Sequence, residues 1–135
     1  ECTPLPDRAN VKRMLASVRT ATHAAESIPK YIKMKHFTCD ETRNLKLSNV
    51  RGSTVQIVEC DAQGHKTWRH KDRRQVTERL TERNIEELVD EFGAENFAAW
   101  REWYSGCGLD VDGWDKTTGF RDVVKRVDHF LMSEH

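Results

Sequence analysis

At 135 residues the chain is long enough to enclose one hydrophobic core, and we read residues 1–135 as a single domain. Charged residues make up 33% of it, but 22 Lys and Arg are balanced by 22 Asp and Glu, which excludes polyanion binding by bulk charge and leaves only a local basic edge for that role. No apolar run approaches the roughly 18–20 residues of a spanning helix, so membrane insertion by a helix is not expected.

The chain begins at Glu1 and Cys2, which we read as a mature secreted protein after removal of a signal peptide. Cys2, Cys39, Cys60 and Cys107 are spread over its whole length. They form no Cys-x-x-Cys pair and no Cys/His cluster at zinc spacing, so neither a metal nor a cofactor is expected. An even number of scattered cysteines instead predicts two disulfides, with three connectivities open. The arrangement we favour ties the N-terminal arm to the body through Cys2 and the C-terminal loop to a sheet through Cys107. Each bond would close a long loop and contribute roughly 3–5 kcal/mol.

Asp7 stands where a helix N-cap belongs, and Val11, Met14, Leu15, Val18, Ala21 and Ala25 follow helical spacing, so a first helix is predicted over 7–26. Pro29 disfavours helix at the residue before it and should end that segment. Over 29–37, Ile32 and Met34 alternate with Lys33 and Lys35, which suggests a strand. Leu45 and Leu47 alternate with Lys46 and Ser48 in the same way, and 54–60 places Val55, Ile57 and Glu59 on one face. Turns at Gly52 and Gly64 separate these runs from a further strand over 65–70 that carries Trp68.

Helical patterns return after the sheet. Asp72 or Thr77 can open a short helix through Leu80, and Asn84 with Glu87 matches a capping box for another. Ile85, Leu88, Val89 and Phe92 form its apolar stripe, which Gly93 ends. Phe97, Trp100 and Trp103 or Tyr104 continue at helical spacing to Gly106. A loop rich in Gly and Asp follows, and a last helix over 118–132 buries Phe120, Val123, Val124, Val127 and Leu131. The predicted fold class is α+β: an N-terminal helix, a three- to four-stranded antiparallel sheet, then two to three C-terminal helices packed on one sheet face.

Chemistry is sparse. Lys66, Arg69, Lys71, Arg73 and Arg74 gather around the single acid Asp72, with His65 and His70 interleaved, whereas 82–95 is strongly acidic. This polarity suits two solvated faces, or a basic edge for an acidic protein surface or a polyanion. Trp100, Trp103 and Tyr104 cannot all point inward from one helix, so one or two of them are candidates for a contact surface. Asp110, Asp112 and Asp115 resemble a calcium loop, but the fifth, sixth and twelfth positions hold Trp114, Asp115 and Arg121, and the match fails.

These features favour a secreted, disulfide-stabilised, non-enzymatic protein that binds another macromolecule. An effector-like or cytokine-like ligand of a host protein or receptor fits that description. The alternative is a small secreted hydrolase, a nuclease first, using His65, Arg69 and Glu59, which include the chemical types that a general base, a general acid and a phosphate-binding cation require.

Overall fold

In the computed structural model, which describes residues 5–37, 45–47, 54–60 and 62–133, Asp7 accepts the Asn10 amide at 3.2 Å and opens α1 (Arg8–Ala16). The helix expected over 7–26 is in fact two. Ser17 turns its hydroxyl onto the Met14 carbonyl at 2.7 Å, and Thr20 accepts the His23 amide at 3.1 Å to start α2 (Ala21–His36). Hydroxyl side chains compete in this way with helical backbone bonds, which makes them good caps and poor helix interiors.

Pro29 does not end the segment; it lies inside α2. A helix-interior proline costs roughly 3 kcal/mol. Ile28, Tyr31, Ile32 and Lys35, spaced three and four apart, are all buried on the inner face. Full burial of each large apolar side chain contributes roughly 1.5–3 kcal/mol, so packing outweighs the local rule. The strand expected over 29–37 is therefore the second half of this helix.

β1 (Leu45–Leu47), β2 (Thr54–Cys60) and β3 (Lys66–Asp72) follow. β2 and β3 pair antiparallel, from Thr54 opposite Asp72 to Cys60 opposite Lys66. The short β1 lies along the other edge of β2, with Leu45 opposite Ile57. This corrects the expected scaffold. In substance the sheet is a two-stranded ribbon with a three-residue fragment beside it, and five helices among the described residues build the body. Among the described side chains of the ribbon Val55 alone is fully buried, Thr54, Gln56, Ile57 and Val58 are half-buried, and β3 is exposed at every residue. So little apolar surface cannot hold a roof of helices, and the helices cover one another instead.

α3 (Arg73–Phe92) starts on Asp72, which accepts the Gln75 amide at 3.0 Å, and stops at Gly93 with φ of 64°. It is continuous, so no helix begins at Asn84. That residue is buried and donates from Nδ2 to the Leu80 carbonyl at 2.7 Å. A 3₁₀ turn leads into α4 (Ala98–Gly106), and a second one into α5 (Thr118–Ser133). α5 buries Phe120, Val123, Val127 and Leu131 and leaves Val124 half-buried. α2 is the hub and touches all four other helices, whereas the ribbon leans on α3.

Cys107, at the end of α4, is unbonded and half-buried, so the bridge expected from it to the sheet is not formed here. Cys2, Cys39 and the side chain of Cys60 lie outside the described residues, as does any pairing among them. Gly119 packs directly on Cys107: a Cβ there would stand 2.4 Å from the Cys107 Cβ and 2.7 Å from its carbonyl oxygen. Backbone cannot swing aside as a flexible side chain does. Gly119→Ala is therefore expected to lose roughly 1–3 kcal/mol in chemical denaturation. Gly106→Ala, with nothing within 4 Å of the added methyl, should lose none.

Candidate functional site

β3 presents Lys66, Trp68, Arg69, His70 and Lys71 on a strand that is exposed along its whole length and paired on one side only. Directly paired residues share a face, so the register puts Trp68 with Val58, and His70 with Gln56, on one side. Gln56 Nε2 and His70 Nε2 are 3.2 Å apart there. Arg69 and Lys71 pair with Ile57 and Val55 on the side that faces α3. Trp68 is not a core residue: it is 45% exposed.

The basic segment continues into the first turn of α3. Arg73 and Arg74 line a groove of about 570 Å³ between α3 and α5 with a partly apolar wall of Phe120 and Val124. Arg73 pairs with Asp128 at 3.1 Å and Arg74 with Glu78 at 3.4 Å. Lys116, Arg121 and Lys125 are the other cations of that groove, set against Asp115 and the helix-capping Asp72. Distant stretches of sequence supply these three, and only the packing of α5 on α3 brings them to the basic segment.

The charge layout of α3 opposes the helix dipole. Its first turn holds Arg73 and Arg74 without an acid, and its last turn holds Asp90 and Glu91 without a base. Each such placement costs about 0.3–1 kcal/mol where the stabilising sign would gain as much. From outside the helix, Asp72 at the N-cap and the Arg8 guanidinium, which donates to the Glu91 carbonyl at 2.6 Å, offset part of that cost.

The hydrolase candidates come only partly together. Glu59 lies opposite Thr67 and Arg69 opposite Ile57 in the ladder, and the Glu59 side chain lies outside the described residues. His65 precedes β3, in the turn after Gly64, and like Arg69 it is exposed. A general acid and base need positioned, partly desolvated groups, and an open strand offers little of either.

The aromatic candidates are mostly interior. Trp100 is fully buried and Trp103 nearly so. Trp100 donates from Nε1 to Ser27 Oγ at 2.9 Å, meets Trp103 edge-on at 5.4 Å and stacks on Tyr104 at 5.3 Å. Tyr104 is half-buried. Burial, then the charges of Asp110, Asp90, Glu86 and Glu95, push its phenol above the usual range.

One constellation escaped the sequence reading. Lys35 of α2 binds Glu87 of α3 at 2.5 Å, and Tyr31 donates its hydroxyl to the other oxygen of the same carboxylate. Tyr31 and Lys35 are one helical turn apart, as are Asn84 and Glu87. That spacing was the available signal, hidden by the strand and cap assignments. Among the described residues no group of three His, Cys, Asp or Glu is placed to hold a metal, and no helix is long and apolar enough to cross a membrane. Comparison with known proteins found no matching family model, no matching curated protein and no matching solved structure.

Proposed function

We propose that the chain is a secreted, non-enzymatic binding protein that engages an acidic protein surface through β3 and the adjoining start of α3. The observation that carries this reading is the exposed edge strand itself, with Lys66 and Trp68 on one face and Arg69 and Lys71 on the other. Tryptophan and arginine are the residues that most often concentrate binding energy at interfaces. An edge strand also offers unpaired backbone groups to a partner, but lysines on it repel a second copy of the same strand. The partner is therefore a different, acidic molecule. A long polyanion fits less well, because the acidic end of α3 repels it and net charge is zero.

Charge reversal at Lys66, Arg69 and Lys71, together with Trp68→Ala, tests this. All four positions are exposed, so the melting temperature should hold. Affinity capture from extracellular fluid should recover acidic proteins on the wild type at low salt, fewer at high salt, and none on the variant. Equal recovery on both proteins refutes the surface, and nucleic acid or glycan in place of protein refutes the partner class. Turnover of RNA lost on His65→Ala would establish the hydrolase instead.

The secreted part of this reading draws on the dispersed cysteines and has its own test. Alkylation in denaturant without reductant should label Cys107, and reduction should release further label from Cys2, Cys39 or Cys60. Four labels before reduction refute it.

A further inference from the structure

The groove between α3 and α5 carries more positive charge than the pairs inside it use. It encloses about 570 Å³, within the usual range of binding clefts, over a floor of buried Phe120 and half-buried Val124. Three of the four acids in its lining are already engaged: Asp72 caps α3, Glu78 holds Arg74 and Asp128 holds Arg73. Among the described residues the side chains of Lys116, Arg121 and Lys125 make no ion pair or hydrogen bond. Asp115 is the one acid of the lining left to set against these three cations. Asp122, next to Arg121 in sequence, pairs with Arg126 instead.

The spacing of the three decides what kind of anion suits them. Arg121 and Lys125 stand four residues apart on α5, roughly 6 Å along the helix axis, and Lys116 lies in the 3₁₀ turn before it. Like charges at that helical spacing repel, so the row is unfavourable until countercharge reaches it. A compact anion such as phosphate needs cations that converge on one point. Cations strung along a helix match carboxylates strung along a chain. Phe120 and Val124 run beside the same row, so the strip also offers a seat for an apolar side chain. The apolar floor and the uncompensated cations are independent features, and a segment both acidic and apolar satisfies the two together.

We propose that the α3–α5 groove seats an acidic segment of the partner protein. One apolar side chain of that segment rests on Phe120 and Val124, and its carboxylates lie along Lys116, Arg121 and Lys125. This rests on the reading of an acidic protein partner given above, and it names the part of that partner that the fold grips. Of β3 only Asp72 lines the groove, so the two surfaces can be disabled separately.

The probe is a short fluorescent peptide of glutamate and leucine, titrated against the whole chain and followed by anisotropy. Wild type should bind it saturably, and more weakly as salt rises. Arg121→Gln with Lys125→Gln removes two exposed charges, so it should melt with the wild type and bind the peptide about tenfold more weakly. Lys12→Gln with Arg101→Gln takes the same charge from exposed positions on α1 and α4 and should bind as the wild type does. A peptide with serine in place of leucine should lose at least as much affinity as the groove pair, because nothing then covers the apolar floor. No binding by the wild type overturns the proposal, as do equal losses on the two double variants or equal binding of the two peptides. Inorganic phosphate that displaces the peptide from the wild type and not from the groove variant identifies a compact anion and overturns it too. If affinity capture recovers no acidic protein on the wild type, the reading of the partner fails first, whatever the peptide shows. If it recovers them and the groove variant retains them equally, the groove alone fails.

Discussion

Trp100→Ala is expected to cost about 3–5 kcal/mol, against a total stability of roughly 5–15 kcal/mol for a domain of this kind. Trp100 is the largest fully buried side chain, and it joins α2 to α4 through its bond to Ser27. Truncation leaves a cavity beside Trp103 and Tyr104 that helix-borne neighbours cannot fill. The bond to Ser27 is the smaller part, since that hydroxyl still donates to the Ala24 carbonyl at 2.5 Å. Trp100→Phe, which keeps a ring and loses the indole N–H, should therefore cost clearly less, about 1–2 kcal/mol. Urea denaturation measures both. A loss below about 1 kcal/mol for the alanine variant would mean that the ring carries little packing, and the idea of an aromatic contact surface would revive.

The same packing explains what was legible in the sequence. α5 could be read because Phe120, Val123, Val127 and Leu131 repeat at helical spacing without interruption. Asp72 and Gly93 could be read as the ends of α3 because a cap and a left-handed stop depend on the residue itself. Positions of β2 and β3 were visible as alternation. The extent of the sheet was not, because it depends on how much apolar surface lies across from each strand. Pro29 was misread for a related reason. Its local preference is strong, but the buried stripe from Ile28 to Lys35 is stronger, and that stripe finds its partners far along the chain. The basic surface was half legible: Lys66 to Arg74 are contiguous, whereas Lys116, Arg121 and Lys125 join them only through the fold. Charge opposing a helix dipole was also on the page, and it needed only the correct helix ends to be seen.

Glu87→Ala should be comparably destructive for an electrostatic reason. Lys35 and Glu87 are 5% and 18% exposed in their side chains, and the carboxylate serves both the Lys35 ammonium and the Tyr31 hydroxyl. Removing it strands a buried positive charge and a buried phenol together, and breaking such a pair costs about 3–5 kcal/mol. The pair itself is worth much less than that, because both charges were taken out of water to make it. Lys35→Met with Glu87→Leu should therefore recover most of the loss, and a double-mutant cycle should show strong coupling. Tyr31 adds a dependence on pH. Burial first, then the hydrogen bond to Glu87 and the charges of Glu87 and Glu91, raise its phenol far above the ordinary 10.0. A raised folded value means that the neutral phenol's contribution is complete below pH 10 and is lost as pH rises beyond it. Wild-type stability should thus show no loss from this group up to about pH 10 and then decline, with little phenolate absorbance from Tyr31 until the chain unfolds. In Glu87→Ala that phenol should ionise at lower pH within the folded state. An alanine variant as stable as the wild type, with an unchanged alkaline limb, would show that the two helices are not joined through this carboxylate.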